Sequence, residues 1–320
     1  MGFFQLPVPP TPPGTTVQGK TILITGGNSG MGFEAARQFL SLKASRIIIT
    51  ARDKTRGENA VAALRREFAP NSKNESPVIE FFDLDLDDYQ SALRFCDKVK
   101  KDVPYLDVLV CNGGVSLMEY QTINSYSHFL IVLELLPLLQ ATSTHRQAPS
   151  RVTFTGSGAQ RLTTLAPGKR PLGKTENVLA HFDSKEGFSG MTRYGDSKLL
   201  VNAFVRKLAT RVSPDEVIVN NFCPGMVSSG MEKNAPLWMR CIVKVIMAIR
   251  ARSVEVGSRM MVYAVAVTGK ESHGKFYENN KVNPAKMFLD EDAGQDFIGR
   301  LWRDTLAELV SLDPSLKRWE

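Results

Sequence analysis

Residues 20–39 read KTILITGGNSGMGFEAARQF, and glycine takes four of the seven positions from Gly26 to Gly32. Glycine suits the interior of neither strand nor helix, so a short apolar strand here passes into a helix through a turn that only glycine tolerates. The pairing recurs down the chain. β-Branched runs at 21–25, 46–50, 78–82, 106–111, 151–155 and 217–222 alternate with helical patterns at 33–42, 55–68, 88–101, 122–140 and 194–211. Such alternation predicts an α/β fold: right-handed crossovers building one doubly wound, mostly parallel sheet with helices on both faces.

An open parallel sheet binds ligands outside the carboxyl ends of its strands, at the switch point. The turn Thr25-Gly26-Gly27-Asn28-Ser29-Gly30-Met31-Gly32 lies at such an end. Gly26 permits the tight turn, Gly30 lets backbone approach a pyrophosphate, and Gly32 allows close packing of the helix. The helix N-terminus adds unpaired N–H groups and a positive dipole end. Set between strand and helix, the glycine spacing reads as a dinucleotide site. The second strand ends Ile-Ile-Ile-Thr-Ala-Arg, with Ala51 and Arg52 where a carboxylate would accept a ribose 2′-hydroxyl. Arginine attracts a 2′-phosphate that a carboxylate would repel, which favours NADP(H). Asp53 follows, and is read as the cap of the helix that starts near Thr55.

The chain resembles the short-chain dehydrogenase/reductase family, whose Thr-Gly-x-x-x-Gly-x-Gly pattern residues 25–32 fit throughout. Six further motifs follow in the family's order over roughly residues 19–230: Asp85-Leu86, Asn112-Gly113-Gly114, Asn124, Gly156-Ser157, Tyr194-Gly195-Asp196-Ser197-Lys198 and Pro224-Gly225. The likeness extends to members acting on retinol-like substrates and to relatives in fungal secondary metabolism. It implies a Rossmann-type fold and a catalytic set of Asn124, Ser157, Tyr194 and Lys198. It also implies cofactor contacts from Thr25, Gly26, Asn28, Ser29, Gly30, Met31, Gly32, Arg52, Asp85, Leu86, Asn112, Gly113, Tyr194, Lys198, Pro224, Gly225 and Val227. By the same resemblance, Asp85 stands near the adenine, Lys198 holds the nicotinamide ribose, and Asn124 supports a water chain leading protons away from Lys198.

The residues carry a chemistry of their own. Tyr194 and Lys198 are four apart and share a helix face. A free phenol, with a pKa of about 10, is a poor acid/base at neutral pH; a neighbouring ammonium would stabilise the phenolate and pull that value down. Tyr194 could then give a proton to a carbonyl oxygen as hydride reaches carbon, or take one from an alcohol, with Ser157 hydrogen-bonding the same oxygen. Blander readings stay open: Asn124 as a helix N-cap, Asp85 as a helix cap while Asp83 competes for the adenine role, Asn112 as a brace of the central strand. His128, Tyr126 and His145 show no partner pattern and read as structural.

The 320 residues, 43% hydrophobic with a net charge of +7, suffice for one large α/β domain. Basic residues are scattered in short groups, so no nucleic-acid footprint emerges. Cys96, Cys111, Cys223 and Cys241 have no metal spacing and read as buried thiols of a reducing, cytoplasmic setting. The start, MGFFQLPVPPTPPG, lacks the features of a signal peptide and reads as an extended proline-rich arm over 1–18. The Rossmann domain follows over 19–320, its stretch 226–320 being a less regular, substrate-side extension. Within it, the apolar run 237–249 is interrupted by Arg240 and Lys244. It is too short to span a bilayer and reads as a helix covering a substrate cleft or packed in the core, with a membrane-surface contact as the alternative. Met226, Met231, Trp238, Met239 and Met247 favour a fairly large apolar carbonyl or alcohol substrate. Self-association is left open, and a non-catalytic dinucleotide sensor on the same fold is the rival reading.

Overall fold

The computed structural model describes residues 5–69, 76–114, 123–165, 170–184, 190–228, 251–283 and 287–320. Within them eight strands form one sheet: β1 (Thr21–Ile24), β2 (Arg46–Ala51), β3 (Val78–Asp83), β4 (Val108–Cys111), β5 (Ser150–Thr155), β6 (Val217–Cys223), β7 (Phe276–Glu278) and β8 (Lys281–Val282). Their order is β3-β2-β1-β4-β5-β6-β7-β8. Every pairing is parallel except the last, where β8 runs back along β7. The order reverses between β1 and β4, so the carboxyl ends of those two strands flank the crevice where such sheets take ligands.

The described helices are α1 (Gly30–Ser41), α2 (Lys54–Glu67), α3 (Tyr89–Asp102), α4 (Ile123–Arg146), α5 (Val178–Asp183), α6 (Gly190–Ala209), α7 (Val254–Val262) and α8 (Asp292–Leu312). Side chains alternate across each strand. Leu23, Ile48, Leu109 and Val152 therefore meet α3, α4, α6 and α8 in one core, whereas Ile22, Ile24, Ile47, Ile49, Val108 and Val110 meet α1, α2 and α7 in the other. Burial on both faces explains why the strands read as unbroken apolar runs.

Three elements differ from expectation. Helix α6 begins at Gly190, before the expected Tyr194, which puts the tyrosine inside the helix rather than at its start. Helix α4 runs on to Arg146. The stretch after Gly225, expected to be irregular, holds α7, a π-helical turn at Tyr263–Val267, β7, β8 and α8. Two of those strands have three and two residues, too few to show a period, whereas the apolar spacing along α8 was there to be read.

The proline-rich arm is docked rather than free. Val8 and Val17 are buried in the second core, and the Val17 N–H donates to the Leu42 carbonyl at 2.9 Å. Among the described residues no helix is long and apolar enough to cross a membrane; the 237–249 run lies outside them.

Phe204 on α6 ties the first core together. Its ring stacks on Phe129 of α4 at 4.0 Å between centroids and on Trp302 of α8 at 5.6 Å. Phe204→Ala removes both stacks and leaves a cavity, so it should lower stability by about 3–5 kcal/mol, read from the denaturant midpoint.

Candidate active site

Thr25 closes β1, and its Oγ1 accepts hydrogen bonds from the N–H groups of Asn112 and Gly113, both at 2.9 Å. The Asn112 side chain replies, Nδ2 donating to the carbonyls of Thr25 at 3.0 Å and Gly26 at 3.3 Å. The ends of β1 and β4 are thereby locked, the bracing role foreseen for Asn112. Gly26 has φ +64°, and a Cβ there would lie 2.7 Å from Gly113 Cα. At Gly32 a Cβ would lie 2.5 Å from the Gly26 carbonyl oxygen, so its tight packing is against the turn itself.

Helix α1 then opens with an uncapped end. Asp53, Asp88 and Ser253 accept from backbone N–H groups at the starts of α2, α3 and α7, but the Ser29 side chain makes no such bond at α1. Its first N–H groups point out of the turn with a positive dipole end behind them, the donor set a phosphate uses. Asp53 does cap α2, as expected. Arg52 is 69% exposed and holds Asp87 at 3.0 Å.

Asp85 is half-buried, its Oδ1 accepting from the Asp87 N–H at 3.1 Å. The cap of α3 is Asp88 instead, and Asp83 is exposed. Leu86 is buried against Gly113, where a Cβ would meet its Cδ1 at 2.6 Å. On the other side of the turn, Gly257 packs between Val227 and Met31. Gly26, Leu86, Asn112 and Gly113 thus meet at the carboxyl ends of the central strands, and Val227 reaches Met31 at the start of α1 through Gly257.

Three of the expected catalytic residues, Ser157, Tyr194 and Lys198, come together at the carboxyl end of β5. The Ser157 hydroxyl accepts from the Ala159 N–H at 3.1 Å and lies close enough to the Tyr194 phenol to affect its proton affinity. Lys198 lies one turn along α6, its Nζ donating to the Thr155 carbonyl at 3.0 Å and standing 5.6 Å from the Tyr194 ring centroid. Asn124 lies in the first turn of α4; its side chain is outside the described residues.

The electrostatics correct one expectation. Burial pushes the Tyr194 phenol above its ordinary value, with the nearby Ser157 hydroxyl pulling the other way. Lys198 is not among the groups lowering it, because the amine is itself buried and turned to the Thr155 carbonyl. Burial drives Lys198 down to about 8.

Several supporting residues carry no sequence signal that singles them out. His128, read as structural, meets Thr25 Oγ1 through Nε2 at 2.8 Å. With Lys198, Thr155, Ser125 and Gly113 it lines a cavity of about 20 Å³, room for one water. Asp196, between Tyr194 and Lys198, accepts from Thr163 Oγ1 at 2.8 Å, Thr164 N–H at 2.8 Å and Thr164 Oγ1 at 3.0 Å, pinning the end of the 3-10 turn after Ser157 to α6. An aspartate inside a helix between two candidate catalytic residues was the available clue. Cys223 Sγ accepts from the N–H groups of Gly158 at 3.2 Å and Gly225 at 3.4 Å.

The buried amine has a pH signature. The unfolded chain keeps the Lys198 proton up to about 10.5, the folded chain only to about 8. Between those values the unfolded state binds more protons, so stability rises with pH, the cost of burying the charge being fully present below the window. The melting temperature of the unmodified protein should climb relative to Lys198→Met from about pH 8 towards 10.5; a constant difference would count against the buried ammonium.

The short chain dehydrogenase family model matches residues 20–161 and 180–240. Among characterised relatives, the short chain dehydrogenase sor7 of Hypocrea jecorina is 46% identical over 291 residues, 88% of this chain and 80% of its own. Short chain dehydrogenase macD of Penicillium terrestre is 38% identical over 98% of this chain and 97% of its own. Two solved structures share the fold. Pseudomonas aeruginosa RhlG, in an NADP active-site complex, has a TM-score of 0.63 at 23% identity and covers 84% of this chain and 97% of its own. L-Sorbose reductase from Gluconobacter frateurii, complexed with NADPH and L-sorbose, has a TM-score of 0.61 at 18% identity, with 82% and 96% covered. With its glycine turn at the switch point and most of its length matched by the family model, this chain belongs to the short chain dehydrogenases, a family of Rossmann-fold oxidoreductases.

Proposed function

We propose that the protein is an NADP(H)-dependent oxidoreductase interconverting a carbonyl and an alcohol on a fairly large apolar substrate. The observation that carries this reading is the grouping of the Ser157 hydroxyl and the Tyr194 phenol with a buried Lys198, whose Nζ donates to the Thr155 carbonyl at 3.0 Å and stands 5.6 Å from the tyrosine ring centroid. A carbonyl oxygen entering there meets two hydroxyls at once. Ser157 orients it, and Tyr194 delivers the proton as negative charge develops. Bound in the crevice, the nicotinamide supplies or accepts the hydride.

Lys198 serves as the proton's next station. Its lowered value keeps it exchangeable near neutrality, and the water-sized cavity shared with Thr155 and His128 offers a route onward. Asn124, at the start of α4, would support that route. Tyr194 starts high, so cationic nicotinamide near the phenol would lower it most in the direction of alcohol oxidation.

The phosphate preference rests on Arg52. It is exposed at the end of β2 with Asp87 as its ion-pair partner, and a 2′-phosphate would compete for the same guanidinium with more charge. NADP and NADPH occupy the structures of RhlG and L-sorbose reductase. Met226 is exposed beside the crevice, in keeping with an apolar substrate. The relatives' fungal sources support a role in secondary metabolism, and the buried free thiols Cys96, Cys111 and Cys223 suit a reducing compartment.

NADPH consumption against a panel of apolar ketones and aldehydes should fall by about 10²–10⁴ in kcat on Tyr194→Phe; activity that survives would turn the reading towards a dinucleotide sensor with another chemistry. Arg52→Ala should weaken NADPH binding by roughly tenfold or more while leaving NADH nearly unchanged, measured by fluorescence titration. Tighter NADH than NADPH binding by the unmodified chain would reverse the cofactor assignment.

A further inference from the structure

The turn that follows β6 is held by a segment more than two hundred residues away in sequence. Gln5 grips Met226 through both functions of its amide: Nε2 donates to the Met226 carbonyl at 2.9 Å, and Oε1 accepts from the Met226 N–H at 2.8 Å. A side chain here imitates one rung of strand pairing. Arg252, only 9% exposed, clamps from below. Its backbone N–H reaches the Met226 carbonyl at 2.8 Å. Its guanidinium donates to the Pro224 carbonyl at 2.9 Å, and to the Leu6 carbonyl and Asn279 Oδ1 at 2.6 Å each. Between these grips Gly225 adopts φ +75°, and a Cβ there would stand 2.1 Å from Gln5 Oε1 and 2.7 Å from Arg252 Nη1. Glycine at 225 is demanded by the backbone angle and by the arm pressing on it.

The gripped turn adjoins the reacting end of the site. β5 and β6 pair side by side, the Gly156 N–H donates to the Phe222 carbonyl at 2.7 Å, and Cys223 Sγ ties Gly158 to Gly225. Whatever sets the position of 224–227 therefore sets the wall facing Ser157 and Tyr194. The adenosine half of the crevice, at Arg52 and Leu86, lies on the opposite side of the switch point and receives none of these bonds.

We propose that the N-terminal arm is a working part of the cofactor site: Gln5, seconded by the Leu6 carbonyl on Arg252, is a positioning residue that holds the 224–227 turn in place for the nicotinamide half of NADP(H). The inference rests on the cofactor reading above and extends it to a region outside the 20–161 and 180–240 family match. Without the arm, Met226 loses both amide bonds and Arg252 one carbonyl, and a glycine-containing turn regains freedom that binding must then remove.

The test compares two probes on the full-length chain, on Gln5→Ala and on a chain lacking residues 1–6, which retains buried Val8. NADPH spans the whole crevice; adenosine 2′,5′-bisphosphate carries only the half that meets Arg52. The variants are expected to bind NADPH about fivefold more weakly, the value of two solvent-facing hydrogen bonds, while their affinity for adenosine 2′,5′-bisphosphate stays the same. Gln5→Glu, keeping the acceptor and losing the donor, should fall between Ala and the unmodified chain. Equal weakening of both probes would mean general loosening and would overturn the proposal, as would unaltered NADPH binding by the variants. Should the unmodified chain bind neither probe, the cofactor reading itself falls and takes this inference with it.

Discussion

The lock between Thr25 and Asn112 is the constraint on which the site depends. A hydroxyl at the end of β1 satisfies two N–H groups after β4, and an amide after β4 satisfies two carbonyls of the glycine turn. The β1–β4 ladder runs as far as the Thr25 N–H, which donates to the Val110 carbonyl at 3.0 Å, and beyond it the two crossovers leave in opposite directions. Buried backbone groups must find partners, and here they find them in each other's loops. From Asn112 the connection continues to Thr155 at 3.4 Å and from the Thr155 carbonyl to Lys198. The glycine turn and α6 are thus joined by one run of hydrogen bonds, and a shift in either is felt by the other.

That run also explains the electrostatics. Spacing of four on a helix puts Tyr194 and Lys198 on one face, but a shared face does not make an ion pair. The amine finds a carbonyl on β5, the phenol lies near Ser157, and both are largely withdrawn from solvent. Each is driven towards its neutral form: the phenol upward and the amine downward.

The parts beyond the family pattern are not decoration. Arg151 begins inside β5 and ends as a buried guanidinium serving the carbonyls of Ala264 and Thr268, where the helix after α7 finishes in its π-helical turn. Arg252 does the same for three segments at the other end of the sheet. Arginine's forked donors let one side chain close several chain ends at once. In both places a region far along the sequence is fastened to the central sheet.

What the sequence determined by itself was local and periodic. The six central strands, the helices between them, the glycine turn and the order of the motifs were legible because each is written in neighbouring residues: apolar runs, a 3.6-residue period, glycine where the chain must turn. The assembly of Ser157 with Tyr194 was legible too, through the resemblance carried by their spacing. Only the tertiary structure decided the rest. β7 and β8 are too short to announce themselves, and they exist because β6 offered an open edge. His128 acquired its partner from a strand over a hundred residues earlier. Gln5 is an unremarked polar residue in a proline-rich arm until folding sets it against Met226. Pairings of this kind obey no period, since they arise from two chain segments meeting in space, and single residues carry no mark of whom they will meet.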